Sequence, residues 1–221
     1  MTQKKECVVL LHGLSRTKYS LAKLANDLRN DYDVINETYP SRSHTVEALA
    51  KLAVGGALDA CDSGLGYEKI HFVTHSMGGI LVRQYLSQHS IENMGNVVML
   101  GPPNKGSELV DFFQSSPFLS AAFNVINGPA GGQLGTGQKS WLTQLGAVDF
   151  ALGVIAGTRN YNIFYRRILN DQSDGKVTVE SSKVEGMADH LILPVDHTFM
   201  MLDRRVIEQV RHFLAFAEFK H

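Results

Sequence analysis

The sequence predicts an α/β fold in which a mostly parallel central sheet of about six strands carries helices on both faces. Short apolar strands alternate with amphipathic helices from residue 6 to residue 100, which is typical of parallel sheets. The first strand, residues 6–11, is apolar almost throughout, as expected for a strand buried on both faces. The 221 residues are enough for one domain with a single core, and no internal repeat or second domain boundary is visible.

The first half of the chain supports this prediction element by element. The first strand ends at His12-Gly13. Further strands are expected at 33–38, 69–74 and 96–100. Three segments have apolar residues at helical spacing: 19–30, the segment that follows the expected N-cap Thr45, and 77–88. In parallel sheets of this kind ligands bind at the carboxyl ends of the strands, so the loops at that edge are the place to look for a site.

The second half is less regular. Residues 107–114 predict a helix, whereas 115–130 are apolar without a clear period. Strands are expected at 154–157 and 190–194, and a final helix is expected at 203–219. The segment 160–169 could be a strand or a helix. Val177 and Val179 show the apolar alternation of a strand. Because residues 104–151 interrupt the alternation, we interpret them as an insertion over the carboxyl edge, either a short lid or an apolar pocket wall, in preference to an ordinary surface excursion.

Composition and charge narrow the classes of function. A net charge of -1 gives no field to collect nucleic acid or anionic lipid. No stretch reaches the length of a membrane span, and the apolar run after Lys5 is too short for a secretory signal, so the default expectation is a cytoplasmic protein. Cys7 and Cys61 form no CxxC pair, and Cys7 is expected to be a small core residue. A stretch that resembles a phosphate loop has Gln138 where lysine belongs, which argues against nucleotide binding.

Residues 72–80, FVTHSMGGI, contain the most informative pattern. An apolar strand stops at His75, Ser76 follows, and helical spacing begins at Met77. A serine in such a strand–turn–helix is exposed above the sheet, as in the nucleophile elbow G-x-S-x-G. Thr74 stands where glycine is usual and adds bulk. On these residues alone, a surface serine that caps a helix is an equal alternative.

Four segments, taken together, resemble the α/β-hydrolase superfamily, and each is expected at the end of a predicted strand. They are LLHGL at 10–14, THSMGG at 74–79, SDGKVTVESS at 173–182 and VDHTFMM at 195–201. The chain is most similar to small bacterial lipases and acyl esterases with an A-H-S-M-G type elbow, from Cys7 to Phe219. The resemblance implies the α/β-hydrolase fold in a single domain over 1–221, hydrolysis of carboxylic esters, and no metal or organic cofactor.

The resemblance also implies a catalytic triad in the chain order Ser76, Asp174 and His197. A serine hydroxyl needs a base to take its proton, and histidine has an ordinary pKa near 6.5 that suits this task. A buried carboxylate then fixes the imidazole tautomer. His197 lies between the last strand and the last helix, where the family has its base. Two other aspartates could be the acid. We interpret Asp171 as a loop or capping residue and Asp196 as a supporting or solvated residue.

Two backbone N–H groups are expected to form the oxyanion hole. One belongs to Met77, the residue after the serine, and the other, by resemblance to the H-G-x loop of small lipases, to Leu14. Gly13 supports this assignment because a side chain there would crowd the acyl group. The other histidines near the predicted strands are less suitable as the base. His12 is expected to belong to the oxyanion loop, and structural roles are expected for His71, His75 and His190.

Three functions fit these residues. The favoured one is a serine hydrolase of small-molecule or lipid acyl esters. An amidase or thioesterase would use the same triad, and a non-catalytic ligand-binding protein on a hydrolase scaffold would keep the fold alone. The oligomeric state is not indicated. Arg16, Lys18 and Arg42 lie on loops near the expected site, where we favour solvated surface charge over contact with an anionic substrate.

Overall fold

One parallel sheet forms the centre of the molecule. The computed structural model describes residues 6–61, 66–136, 141–169 and 172–221. The strands are β1 (Cys7–Leu11), β2 (Asp33–Asn36), β3 (Ile70–His75), β4 (Met94–Leu100), β5 (Leu152–Gly157) and β6 (Asp189–Leu193). They are arranged β2-β1-β3-β4-β5-β6, and every neighbouring pair is parallel. The predicted parallel sheet of about six strands is therefore confirmed.

Helices connect the strands. They are α1 (Ala22–Leu28), α2 (Val46–Ala50), α3 (Gly56–Cys61), α4 (Met77–Leu86), α5 (Glu108–Gln114), α6 (Pro117–Gly132), α7 (Trp141–Gln144), α8 (Ile163–Ile168), α9 (Val179–Ser182) and α10 (Arg204–Phe216). A π-helical stretch, Lys51–Gly55, joins α2 to α3, and 3₁₀ turns lie at Lys18–Leu21 and Met200–Leu202. The side chain of Thr45 accepts a hydrogen bond from the Ala48 N–H, which confirms the predicted N-cap.

Both faces of the sheet are buried under helices. Alternate residues of β1, such as Val8 and Leu10, pack with α1 and α10 on one face. Their neighbours Val9 and Leu11 pack with α2, α3 and α4 on the other face. Because each central strand is covered on both sides, its sequence is apolar almost without interruption. Cys7 and Cys61 are buried in the second of these clusters and are not joined by a disulfide; their sulfur atoms lie 2.7 Å apart.

The strand order places a crevice between β1 and β3. The chain passes from β1 to β2 on one side and then returns to β3 on the other side of β1. At such a reversal the loops that follow the two strands diverge, and ligands bind at their carboxyl ends. The loop after β1 begins at His12, and the turn after β3 contains Ser76. The fold therefore brings the two predicted oxyanion segments to one edge.

Three parts of the second half differ from their sequence patterns. The aperiodic segment 115–130 is mostly α6, which is interrupted at Gly128, where φ is 69°. Its period is hidden because apolar side chains such as Phe118 and Val125 face solvent, 82% and 78% exposed. The ambiguous segment 160–169 contains α8. The segment 173–182 follows this helix rather than a strand, and Val179 begins α9. The phosphate-loop-like stretch around Gln138 lies outside the described residues.

In the described part of the chain, no helix is both long enough and apolar enough to cross a bilayer.

Candidate active site

The turn between β3 and α4 holds Ser76 in a strained conformation. Its φ and ψ are 53° and -123°, a region that non-glycine residues rarely adopt. The Ser76 N–H donates to the Leu100 carbonyl oxygen at 2.9 Å, which ties the turn to the end of β4. At Gly78 an added Cβ would lie 2.5 Å from the Leu11 carbonyl oxygen, so α4 approaches the end of β1 closely. These contacts hold Ser76 at the carboxyl edge of the sheet.

The bulk of the unusual Thr74, in β3, is accommodated by Gly79 in α4. Thr74 is fully buried, and an added Cβ on Gly79 would lie 3.1 Å from its Oγ1 and 2.8 Å from Met99 Sδ. The second glycine of the Met77-Gly78-Gly79 sequence therefore makes room for the bulk that Thr74 adds. Among the described residues, Thr74 Oγ1 has no hydrogen-bond partner.

Asp174 and His197 form a buried pair. Their side chains are joined by a 2.7 Å contact between Asp174 Oδ2 and His197 Nδ1, and both residues are less than 5% exposed. The His197 N–H also donates to the Asp174 carbonyl oxygen at 3.0 Å. The other carboxylate oxygen, Oδ1, accepts the N–H groups of Lys176 and Val177 at 2.9 and 2.8 Å. Both carboxylate oxygens are thus engaged by donors, and the imidazole orientation follows from this arrangement.

Glycines at the ends of two strands make space for this pair. An added Cβ on Gly101, where φ is 55°, would lie 2.8 Å from Asp174 Oδ2 and 3.1 Å from His197 Nδ1. At Gly157 it would lie 2.8 Å from Asp174 Cβ. Neither role was predicted from the sequence. The available signal was a glycine at the carboxyl end of each of two successive strands, β4 and β5.

Ser76 and His197 line the same cavity, of about 570 Å³, together with Gly13 and Leu14. A cavity of this size is in the range of small-molecule sites. Its apolar wall comes from α5, α6 and the segment after α6. The apolar side chains that form it are Leu109, Val110, Phe113, Leu119, Phe123, Ile126 and Leu134. The edge of the sheet thus joins a polar floor to an apolar wall.

The loop after β1 is held in place by Tyr39, whose contacts with this loop the sequence did not predict. The Tyr39 N–H donates to His12 Nε2 at 3.2 Å, so the ring proton is on Nδ1, which donates to the Gly13 carbonyl oxygen at 2.9 Å. The two rings stack at 4.0 Å, and the Tyr39 hydroxyl donates to the His12 carbonyl oxygen. Burial lowers the pKa of His12, which keeps the ring neutral. The loop that carries Leu14 therefore has a fixed path.

The sequence matches the profile of the Alpha/beta hydrolase family over residues 8–174. This match covers most of the chain. The chain belongs to the alpha/beta hydrolase family. Asp174 is the last residue of the match, and His197 lies beyond it. A search of curated proteins finds no relative of this sequence.

Solved structures of several bacterial hydrolases are similar to this alpha/beta hydrolase. A mature Bacillus licheniformis lipase, BlEst2, has a TM-score of 0.75 at 22% identity, over 97% of this chain and 92% of that one. The phospholipase PlaB from Legionella pneumophila has a TM-score of 0.73 at 19% identity, over 96% of this chain but only 58% of that one. A thermophilic esterase from Thermogutta terrifontis has a TM-score of 0.65 at 15% identity, over 98% and 92% of the two chains. At these identities the similarity concerns the fold.

His75 supports His197 in this alpha/beta hydrolase. Its Nε2–H donates to the His197 carbonyl oxygen at 2.9 Å, and the two rings lie 4.8 Å apart. Burial, and secondarily the proximity of His197, lowers the pKa of His75 well below its ordinary value, so the ring is neutral. Among the described residues, its Nδ1 has no partner. An added Cβ on Gly13 would lie 2.9 Å from that atom and 3.1 Å from Ser76 Cβ, so a side chain at residue 13 would press on His75 and Ser76 first.

The rival residues have other partners in the hydrolase. Asp196 Oδ1 accepts the backbone N–H groups of residues 198 and 199 at 2.9 and 3.1 Å, so it caps the turn after His197. His71 Nε2 contacts Glu6 Oε2 at 3.3 Å, and His190 Nε2 contacts Ser182 Oγ at 3.0 Å. Asp171 lies outside the described residues. Within the ranges 6–61, 66–136, 141–169 and 172–221, no three His, Cys, Asp or Glu residues are grouped so that they could hold a metal ion.

Proposed function

We propose that this alpha/beta hydrolase is a serine hydrolase that cleaves carboxylic esters through an acyl-enzyme. The observation that carries the proposal is the buried 2.7 Å Asp174–His197 contact beside a strained Ser76, with Ser76 and His197 on one cavity. A nucleophile on a sharp turn, a base and an acid that orients the base are the parts that acyl transfer by serine requires.

Each proposed residue has a separate task. Ser76 Oγ attacks the ester carbonyl carbon while His197 Nε2 takes its proton, and Asp174 holds the imidazole with its other proton on Nδ1. The negative oxygen of the tetrahedral intermediate accepts the N–H groups of Leu14 and Met77. Met77 suits this task because it is the first residue of α4, and the first N–H groups of a helix have no partner within the helix.

Proton transfer completes both halves of the reaction. His197 gives its proton to the departing alcohol oxygen, and the acyl group stays on Ser76. Water then attacks the acyl carbon with His197 again as base, which releases the carboxylic acid and restores the serine. No step uses a metal or an organic cofactor.

The apolar wall supports an acyl-chain role for residues 104–151. Side chains from α5 and α6, such as Phe113 and Phe123, line the cavity that contains Ser76. We propose that this segment is a pocket wall within a single domain, and that it buries the acyl chain of the substrate. The similar structures are described as a lipase, a phospholipase and an esterase, and these descriptions agree with ester hydrolysis.

The test is hydrolysis of a p-nitrophenyl ester series, from acetate to palmitate, by the wild type, Ser76→Ala and Ser43→Ala. Ser43 is an exposed serine outside the cavity and provides the matched control. We expect turnover by the wild type and Ser43→Ala and loss of activity in Ser76→Ala. Chain-length preference then distinguishes a short-chain esterase from a lipase.

Labelling by a fluorophosphonate separates the remaining functions. A wild type that is silent on esters but labelled at Ser76 overturns the ester specificity and points to amides or thioesters. A folded wild type that is neither active nor labelled contradicts the serine hydrolase proposal and favours a ligand-binding protein on this scaffold.

A further inference from the structure

The cavity has an unbalanced positive charge. Arg16, from the loop after β1, and Lys176, from the loop that holds Asp174, both line it. None of the described residues that line the cavity is an aspartate or a glutamate. A cavity with an apolar wall and two cations fits an amphipathic anion better than it fits a neutral molecule.

Neither cation makes an ion pair within the described residues. Lys18, the neighbouring cation on the same loop, pairs with Glu37 at 3.1 Å, whereas the side chains of Arg16 and Lys176 make no ion pair or hydrogen bond in the described part of the chain. The nearest acid on the loop, Asp174, is engaged by His197 and by two backbone N–H groups. Arg42, by contrast, lines a neighbouring groove and donates to the Val125 carbonyl oxygen.

The positive charges of Arg16 and Lys176 affect each other, as expected for two cations that line one cavity. Lys176 is an exposed residue, but protein atoms around the cavity still desolvate its ammonium group, and this is the first cause that lowers its pKa. The second cause is the positive charge of Arg16. The charge of Asp174 acts in the opposite direction and is the weaker effect. Both cations also act on the buried ring of His75, which is adjacent to Ser76. Arg16 and Lys176 therefore lie close enough to His75 to influence its charge state.

We propose that the preferred substrates are acyl esters whose alcohol carries a phosphate group, and that Arg16 and Lys176 bind this phosphate. The inference rests on the proposed ester hydrolase function and names its substrate class. The phosphate belongs to the alcohol because Lys176 lies two residues after Asp174, whose carboxylate contacts His197, and His197 must protonate the alcohol oxygen. The acyl chain then lies against α5 and α6, where a charged group would be desolvated without a partner.

The reaction has the same bonds as any ester hydrolysis. For an acylglycerol phosphate, the bond between the carbonyl carbon and the glycerol oxygen breaks. The glycerol oxygen leaves with the proton from His197 as glycerol phosphate, and the acyl group takes its new oxygen from water and leaves as a fatty acid. The phosphate itself does not react, so it serves only to position the ester.

The experiment compares octanoylglycerol phosphate with octanoylglycerol, which share the acyl chain and differ in the phosphate. The measured quantity is the ratio of kcat/KM for the phosphorylated ester to kcat/KM for the neutral ester. We expect a ratio of at least about 100 in the wild type and a fall of about 10- to 100-fold in Arg16→Gln and in Lys176→Gln, the range for contacts to charged groups. In the combination of both substitutions the ratio should approach about 1.

The matched control is Arg29→Gln combined with Lys51→Gln. Both residues are exposed and lie outside the cavity. Replacing them removes the same net charge as replacing Arg16 and Lys176 together. We expect this control to keep the wild-type ratio. In the wild type, added salt should lower kcat/KM for the phosphorylated ester more than for the neutral one, because salt screens accessible charges.

The possible failures are distinguishable. A wild type that hydrolyses the neutral ester at least as well as the phosphorylated one overturns this inference and leaves the ester hydrolase intact. A ratio that falls equally in the Arg29/Lys51 control shows that overall charge, and not the cavity pair, sets the preference, and also overturns it. A wild type inactive on both esters and on the p-nitrophenyl series contradicts the proposed function itself.

Discussion

Replacing Asp174 with asparagine tests the proposed triad most directly, because the structure predicts which way the new amide must point. Oδ1 of Asp174 accepts two backbone N–H groups, from Lys176 and Val177, at 2.9 and 2.8 Å. In Asp174→Asn the amide oxygen keeps this position. The reverse orientation would leave both N–H groups facing an NH₂ group, at a cost of about 1–3 kcal/mol for the buried one at Val177.

The NH₂ group introduced by Asp174→Asn is therefore directed at His197 Nδ1, where the carboxylate oxygen of the wild type lies 2.7 Å away. Nδ1 must then accept a hydrogen bond, which forces the ring proton onto Nε2. A ring with its proton on Nε2 cannot take the proton of Ser76. We expect kcat to fall about 10⁴-fold, as when the same exchange imposes the wrong tautomer in other serine hydrolases, which is about 5.4 kcal/mol of transition-state stabilisation.

The assay is kcat/KM on a p-nitrophenyl ester, with the thermal unfolding midpoint measured in parallel to establish that the variant is folded. Nitrogen NMR of the labelled imidazole should show the proton on Nδ1 in the wild type and on Nε2 in Asp174→Asn.

Asp196→Asn is the matched control. Asp196 adjoins His197 and has the same arrangement, with Oδ1 accepting two backbone N–H groups at 2.9 and 3.1 Å. Because its carboxylate makes no contact with the imidazole among the described hydrogen bonds, we expect activity within about threefold of the wild type, the usual range for a tolerated substitution. Activity of Asp174→Asn within about tenfold of the wild type, or a large loss in Asp196→Asn alone, would refute the assignment of the acid.

Three further predictions concern packing and pH. Gly13→Ala should lower kcat/KM by at least about tenfold because its Cβ would lie 2.9 Å from His75 Nδ1. The control Gly56→Ala, whose Cβ would have no atom within 4 Å, should retain activity and gain about 0.5–1 kcal/mol of stability. Equal activities of the two variants would contradict this prediction. Thr74→Val should raise stability by about 1–3 kcal/mol, measured by urea unfolding, because it removes a buried hydroxyl that has no partner among the described residues; a decrease would show that the hydroxyl is bonded. The free energy of unfolding should decrease as the pH falls below about 6.5, because the unfolded chain then binds protons that the folded chain excludes. The decrease should be up to about 1.4 kcal/mol per pH unit for each histidine whose pKa is lowered by burial. Unfolding free energies that stay level between about pH 7.5 and 5.5 would contradict this prediction. These histidines are His12, His71, His75 and His190.

Much of the fold could be predicted because its signals are local. The strands are apolar on both faces and the helices are apolar on one face, and these patterns depend only on residues near one another in the chain. The position of Ser76 was predictable for the same reason, since the strand, the turn and the glycines after it are consecutive. Helix α6 was missed because its apolar residues also face solvent, so burial and hydrophobicity do not coincide there.

The proposed acid and base needed more than local pattern. Asp174 and His197 are 23 positions apart, and several aspartates and histidines had similar surroundings in the sequence. Resemblance to a family selected them, and the structure brings them into contact through a turn closed by the bridge between Ser173 and Thr178.

The sequence by itself determined the order of strands and helices, the turn at Ser76 and the candidates for the other roles, because backbone propensity and hydrophobic period act over a few residues. Only the tertiary structure decided which distant side chains share the carboxyl edge of the sheet. The stacking of Tyr39 on His12 and the space that Gly101 leaves for Asp174 depend on how neighbouring strands are paired. The joint presence of Arg16 and Lys176 on one cavity has the same origin, because the loops after different strands meet only when the sheet has formed.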